Sequence, residues 1–253
     1  MKNILILLVM LGCTMSVRGN LPTDSLDVTT AQDRSTAFRA RQLIAPGALI
    51  AVGAVGLSKG WVRNFKEDVR DGMNDIRGKY IKADEYLQFL PLAAGVGLGA
   101  LGVKARHPLR ERVAVAVTGT AVAEILAQGT KRLVRETRPN GEDRHSFPSG
   151  HTTLAFLGAE IVRTEYGWGY GSAAYVVATG VGFLRMYNNK HWINDVIAGA
   201  GYGILSARIA YWLLPVERKW FGWDKPHRPA LTAVPLYLPE QKGFGVALTL
   251  NLP

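Results

Sequence analysis

The chain has 253 residues, of which 48% are hydrophobic, with 28 glycines and one cysteine. That length allows one large domain with a sizeable core, and a single cysteine excludes an intrachain disulfide framework. A net charge of +10 calls for an anionic partner; with no nucleic-acid motif and basic residues flanking apolar segments, a lipid surface or anionic substrate fits better than nucleic acid.

Residues 1–19 have the form of a signal peptide or N-terminal anchor: Lys2, an apolar run from Ile4 to Gly12, then Val17 and Gly19 before a potential cut. Cys13 makes a poor lipidation site, because Met10 stands where leucine is usual. Residues 20–42 read as a polar lead-in, and 43–220 as a helical bundle. Its apolar stretches are 43–58, 88–103, 113–128, 154–162, 172–184 and 196–214, the last containing Arg208. Most are shorter than the roughly 20 residues a bilayer span prefers, so they are short spans or core helices. The mean hydropathy of +0.06 is low for a chain that crosses a membrane many times.

Gly95 with Gly99, and Gly199 with Gly203, have the spacing of close helix contacts. Glu124 interrupts an apolar run seven residues before Lys131, which makes it a candidate for supporting the pocket from behind or for a structural hydrogen bond. If the helices span, the basic segments at Lys104 to Arg112 and at Arg218 to Arg228 belong on the cytoplasmic side. The motifs between them then face the periplasm.

Lys131 and Arg138 are seven residues apart, so on a continuing helix they share a face as two fixed cations for an anion. Pro139 should stop that helix and hold the Arg138 guanidinium at its lip, where a planar fork can engage two phosphate oxygens. Pro148, Ser149 and Gly150 precede the apolar run Leu154 to Leu157, the pattern of a helix start with Ser149 near the cap. Such a start offers free amides and a positive dipole end to an oxyanion, with Gly150 permitting close approach. His151 then stands within reach of a leaving-group oxygen. Further on, His191 and Asp195 have i, i+4 spacing, so on a helix the carboxylate can hold one imidazole nitrogen and leave the other free to attack. Arg185 adds a further cation.

The tail changes period. Ala230 to Leu238 and Phe244 to Leu252 flank Pro239 to Gly243, and the second run alternates Phe244, Val246, Leu248, Leu250 and Leu252. That pattern predicts a β-hairpin extension over 229–253.

Lys131-x6-Arg138-Pro139, Pro148-Ser149-Gly150-His151 and Arg185-x5-His191-x3-Asp195 resemble the three signature motifs of the type 2 phosphatidic acid phosphatase superfamily. That superfamily shares its pocket with bacterial acid phosphatases and vanadium haloperoxidases. The resemblance implies an all-α six-helix bundle, membrane-embedded, in which His191 forms a phosphohistidine, Asp195 orients it and His151 protonates the leaving alkoxide. Lys131, Arg138, Ser149, Gly150 and Arg185 would hold the phosphoryl oxygens, with no metal or other cofactor, because the cations stabilise the charge. One departure is visible: Leu184 occupies the position before the third-motif arginine where the family usually has serine.

The resulting expectation is a lipid phosphatase of the bacterial inner membrane, its site facing the periplasm. The surroundings of the second motif and the overall layout look most like lipid A 4'-phosphatases. Phosphatidylglycerol phosphate and undecaprenyl diphosphate are the other membrane substrates considered. A broad-specificity periplasmic acid phosphatase, a vanadium-dependent haloperoxidase and a non-catalytic lipid-binding bundle are the competing functions. The oligomeric state is open.

Overall fold

The computed structural model describes residues 36–58, 60–223, 230–238 and 243–251, the last two segments as backbone. The expected signal or anchor at 1–19, Cys13, and the lead-in up to residue 35 lie outside the described residues.

The molecule is helical. A 3₁₀ turn at Ala40–Leu43 leads into α1 (Ile44–Val55), followed by α2 (Trp61–Ile76), the short α3 (Ala83–Leu87) and α4 (Leu90–Gly97) with a 3₁₀ turn at Leu98–Leu101. The long helices follow: α5 (Leu109–Val134), α6 (Gly150–Tyr187) and α7 (Ile193–Phe221). Strands β1 (Ala230–Leu238) and β2 (Gly243–Asn251) pair antiparallel from Ala230 opposite Asn251 to Leu238 opposite Gly243.

All six apolar stretches fall largely within helical segments, with two refinements. The stretches at 154–162 and 172–184 are the two halves of α6, which bends where Gly167 takes φ 80, ψ −175. A residue with a side chain adopts that conformation only under strain, so the glycine is what lets the helix turn there. In addition, α2 is a helix that hydropathy alone does not suggest, because its apolar face is narrow. It buries Lys66, Val69 and Met73 and leaves a charged face outside.

The core lies where α6 and α7 cross, with α1 and α5 against α7 and α4 against α6. Val115, Leu157, Ile161, Ala207, Tyr211 and Leu214 form its largest apolar cluster. Small residues set the closeness of the α6–α7 contact. A methyl group added at Gly199 would come within 2.8 Å of the Ser149 carbonyl oxygen, and one at Gly203 would collide with the Thr153 carbonyl. The face below His191 and Asp195 is therefore a packing face, as its spacing suggested.

Helices α5 and α7 are long and apolar enough to cross a membrane. Along α5, Val113, Val117, Ile125 and Leu133 are exposed at steps of four and eight residues, forming one outward apolar stripe. The start of α5 and the end of α7 come together: Arg218 Nη2 donates to Glu111 Oε2 at 2.6 Å, at the opposite end of α5 from Lys131.

Candidate active site

The three motifs meet where α5 ends and α6 and α7 begin. Helix α5 stops earlier than Pro139 would require. Arg135 adopts a left-handed conformation (φ 52, ψ 41) and its amide donates to the Lys131 carbonyl at 3.1 Å, capping the helix at Val134. Lys131 and Arg138 therefore do not share a helix face. Instead the chain folds back over the end of α5, and the buried Lys131 Nζ donates to the His145 carbonyl at 2.7 Å. Arg138 lies on that returning loop, with Nε 2.9 Å from both Asp143 oxygens and Nη1 3.3 Å from the Lys190 carbonyl.

Ser149 is the N-cap of α6, as its pattern predicted, but its hydroxyl makes no capping bond; it accepts from Thr152 Oγ1 at 2.9 Å. Its amide donates to the Asp195 carbonyl at 3.0 Å, joining the starts of α6 and α7. A methyl group at Gly150 would meet nothing within 4 Å, so the amides of the first turn remain approachable. His151 is half-buried in that turn.

His191 and Asp195 are not on one helix either. The left-handed Asn189 (φ 57) turns the chain out of α6, and α7 begins only at Ile193 with Trp192 as its cap. Asp195, in the first turn, accepts from the Trp192 amide at 2.9 Å and from the Ser146 hydroxyl, and its Oδ2 stands 3.5 Å from His191 Nδ1. Ser146 Oγ is 3.4 Å from the same nitrogen. The opposite ring nitrogen, Nε2, faces Arg138 Nη1 at 3.4 Å. One nitrogen of His191 is thus turned toward a carboxylate and a hydroxyl, the other toward a cation.

Arg185 is buried on α6, with Nη1 donating to Asp84 Oδ2 at 2.6 Å. Asp84, fully buried on α3, also accepts from Asn188 Nδ2 at 3.1 Å. Burial holds His191 well below its ordinary pKa, and the positive charges of Arg185, Lys131, Arg138 and His151 push the same way. Burial, then Arg185, draws His151 down to about 4, with Arg138 and Lys131 adding to the effect against Asp84. Both imidazoles are therefore neutral near pH 7, and the concentrated positive charge suits an anion.

All three motifs contribute to this cluster, but Glu124 does not join it. Its side chain is exposed on α5 and accepts from Gln128 Nε2 at 3.2 Å. The buried stripe of α5 runs at steps of four through Glu111, Val115, Gly119, Ala123, Ala127 and Lys131, and Glu124 stands beside it on the exposed side. Leu184 is half-buried beside Arg185.

Several supporting residues escaped the sequence. Asp84 and Asn188 steady Arg185 and the α6–α7 turn, Asp143 grips Arg138, and Ser146 joins Asp195 to His191. Ser146 was the most accessible of these, since it is a hydroxyl two residues before the second motif. Trp192, beside the nucleophile candidate, is packing: its Nε1 donates to the Thr137 carbonyl at 2.8 Å, and Lys66 and Arg70 of α2 lie over its ring at 4.8 and 5.5 Å.

A family model described as the PAP2 superfamily matches residues 112–219. Over 139 residues the chain is 35% identical to the lipid A 1-phosphatase of Porphyromonas gingivalis, covering 53% of this chain and 31% of that protein. The chain thus spans less than a third of that curated relative. Over 150 residues it is 31% identical to the bacitracin transport permease protein BcrC of Bacillus licheniformis, covering 54% of this chain and 70% of that one. Among solved structures, the transmembrane PAP2 type phosphatidylglycerolphosphate phosphatase of Bacillus subtilis has the same fold, with a TM-score of 0.52 at 20% identity over 73% of this chain and 99% of that one.

Proposed function

The chain belongs to the PAP2 superfamily, and on that premise we propose that it is a metal-independent lipid phosphatase acting through a phosphohistidine. The observation that carries this reading is the orientation of His191: Nδ1 toward Asp195 and Ser146, Nε2 toward Arg138.

In the proposed reaction the Nε2 lone pair attacks phosphorus, forming the N–P bond as the bond to the lipid oxygen breaks. Asp195 stabilises the positive charge that develops on the ring. Lys131, Arg138 and Arg185, with the amides at the start of α6, hold the three peripheral oxygens, where charge is greatest in the transition state. His151 delivers the proton to the departing alkoxide, then takes one from the water that cleaves the phosphohistidine. A phosphate dianion bound among these groups raises the pKa of His151, so the substrate itself brings the acid toward its protonated form. Leu184 supplies no hydrogen bond to phosphate, which leaves the binding work to the cations and amides.

The substrate is read as a membrane lipid, with lipid A first and its 4'-phosphate as the preferred position. The apolar stripe on α5 suits lipid contact, and the Porphyromonas relative is named for lipid A. That name refers to the 1-phosphate, so the test must report which phosphate leaves. The site is read as facing the periplasm of a bacterial inner membrane from the basic segments Lys104 to Arg112 and Arg218 to Arg228, which in the chain flank the ends of α5 and α7 away from the motifs.

The test is phosphate release from lipid A in detergent and chelator, with mass spectrometry of the lipid product. The native protein should release phosphate, and His191→Ala should lower the rate by about 10⁴-fold. Undiminished release by the variant would overturn the phosphohistidine. Release only from phosphatidylglycerol phosphate or undecaprenyl diphosphate would overturn the substrate.

A further inference from the structure

A second cationic pocket adjoins the site. Arg132, Arg135, Arg144 and His145 line a cavity of about 310 Å³, and all four side chains are exposed. None of them forms an ion pair with a carboxylate among the described residues, because the acids of the same loop are committed elsewhere. Glu136 holds Lys66 at 2.5 Å, Glu142 holds Lys190 at 2.6 Å and Asp143 holds Arg138 at 2.9 Å. Three guanidiniums thus surround one space without a carboxylate partner among the described residues, and the one acid that reaches a lining residue is Asp143, which accepts from the His145 amide at 2.7 Å while holding Arg138.

Two short links tie this pocket to the phosphate site. Arg132 follows Lys131 in the chain, and the His145 carbonyl accepts from Lys131 Nζ at 2.7 Å. Arg135 holds its side chain at a strained backbone position. It occupies the left-handed position that ends α5, where glycine is unstrained and a residue with a side chain is not. Between them Leu133 is 86% exposed at the end of a helix apolar enough to span, which puts the arginines at the level of lipid headgroups.

We propose that this pocket binds a second oxyanion of the same substrate, so that the preferred substrate is a lipid carrying two phosphates, one at His191 and one among Arg132, Arg135 and Arg144. The proposal rests on the phosphatase reading and adds to it a site for the phosphate that is not removed. Guanidinium forks engage phosphate oxygens two at a time, and a second anchored phosphate also orients the first.

The experiment is equilibrium binding to micelles of a zwitterionic detergent containing a glycolipid with two phosphates or the same glycolipid with one. The full chain is used with His191→Ala, so that no turnover intervenes, with and without Arg135→Gly and Arg144→Ala. Arg135→Gly relieves the backbone, so a loss of binding cannot be ascribed to a weakened helix cap. The doubly phosphorylated lipid should bind about tenfold more tightly, the gain of a charge-assisted contact, and the paired substitutions should abolish that preference. Equal affinity for both lipids would overturn the proposal, as would a preference that survives the substitutions. So would an equal loss for both lipids, which would assign the arginines to the micelle surface. Phosphate release by the native protein is measured alongside. Its absence with the binding preference intact counts against the phosphatase reading alone, whereas release with no preference counts against the second pocket alone.

Discussion

Two buried groups of charges in this molecule differ in how they are neutralised. Deep between α6 and α7, Glu160 accepts from Arg163 at 2.6 and 2.8 Å, from Tyr175 at 2.5 Å, and pairs with Arg208. Nearby Glu165 accepts from the His107 amide at 2.9 Å and from Tyr211 at 2.5 Å, and lies 2.8 Å from His107 Nδ1. These carboxylates are surrounded by protein donors on every side. At the other end, Lys131 reaches only a carbonyl, Arg138 gives Asp143 one edge and turns another toward His191 Nε2, and the α6 amides have open space above Gly150. Buried charge alone does not mark a site. The first network is closed upon itself, whereas the second has donors aimed at a place where an anion can lie.

The sharpest way to break this contrast is Glu160→Ala, which strands Arg163 and Arg208. Unfolding free energy should fall by about 3–5 kcal/mol, measured by thermal or denaturant unfolding in detergent, while turnover per folded molecule is retained. A large loss of turnover with unchanged stability would mean that the closed network serves the reaction. Arg138→Lys should do the reverse. A single ammonium cannot hold Asp143 and the phosphoryl group with one fork, so kcat/KM should drop about 100-fold with little change in melting temperature.

Ser146→Ala is a smaller test. It removes a donor to Asp195 and a neighbour of His191 Nδ1, so kcat should fall about tenfold with KM nearly constant, since the loss falls on orienting the nucleophile. An increase confined to KM would place Ser146 in substrate binding instead. The smallest effect is on pH dependence. His151 is held at about 4, below its ordinary 6.5, so the folded state favours its neutral form. Its contribution to stability is complete above about pH 6.5 and disappears as pH falls toward 4; His191 shifts the balance the same way. Melting temperature should decline over that window, and His151→Gln should flatten the decline.

Much of the site was legible because its chemistry lies in short, ordered motifs. Ser149 is a helix cap and His151 stands in the first turn, both consequences of residues adjacent in the chain. Less legible was how motif residues reach each other. The spacing of Lys131 and Arg138, and of His191 and Asp195, suggested shared helix faces, yet the chain leaves α5 between the first pair and enters α7 only between the second. What holds them is a left-handed cap at Arg135 and a left-handed turn at Asn189, two positive-φ residues that are not glycine and so carry no strong local signal. Glu124 was misplaced because the buried stripe of α5 follows steps of four from Lys131 through Ala127 and Ala123, and a step of seven falls on its exposed side.

The sequence by itself determined the helical class, the residue types able to bind and attack a phosphate, and the small-residue face at Gly199 and Gly203 along which α7 approaches α6. Helix periodicity, capping and motif order act over a few residues, so the chain states them directly. Tertiary structure alone decided that Asp84 would secure Arg185 from 101 residues away, and that Ser146 would reach Asp195 across 49. It also decided that the loop after α5 would bury Lys131 and leave Arg132, Arg135 and Arg144 outside. Contacts of that range form only once the whole bundle has offset the entropy of closing the chain around them, and no local pattern encodes which distant carboxylate or hydroxyl will be carried there.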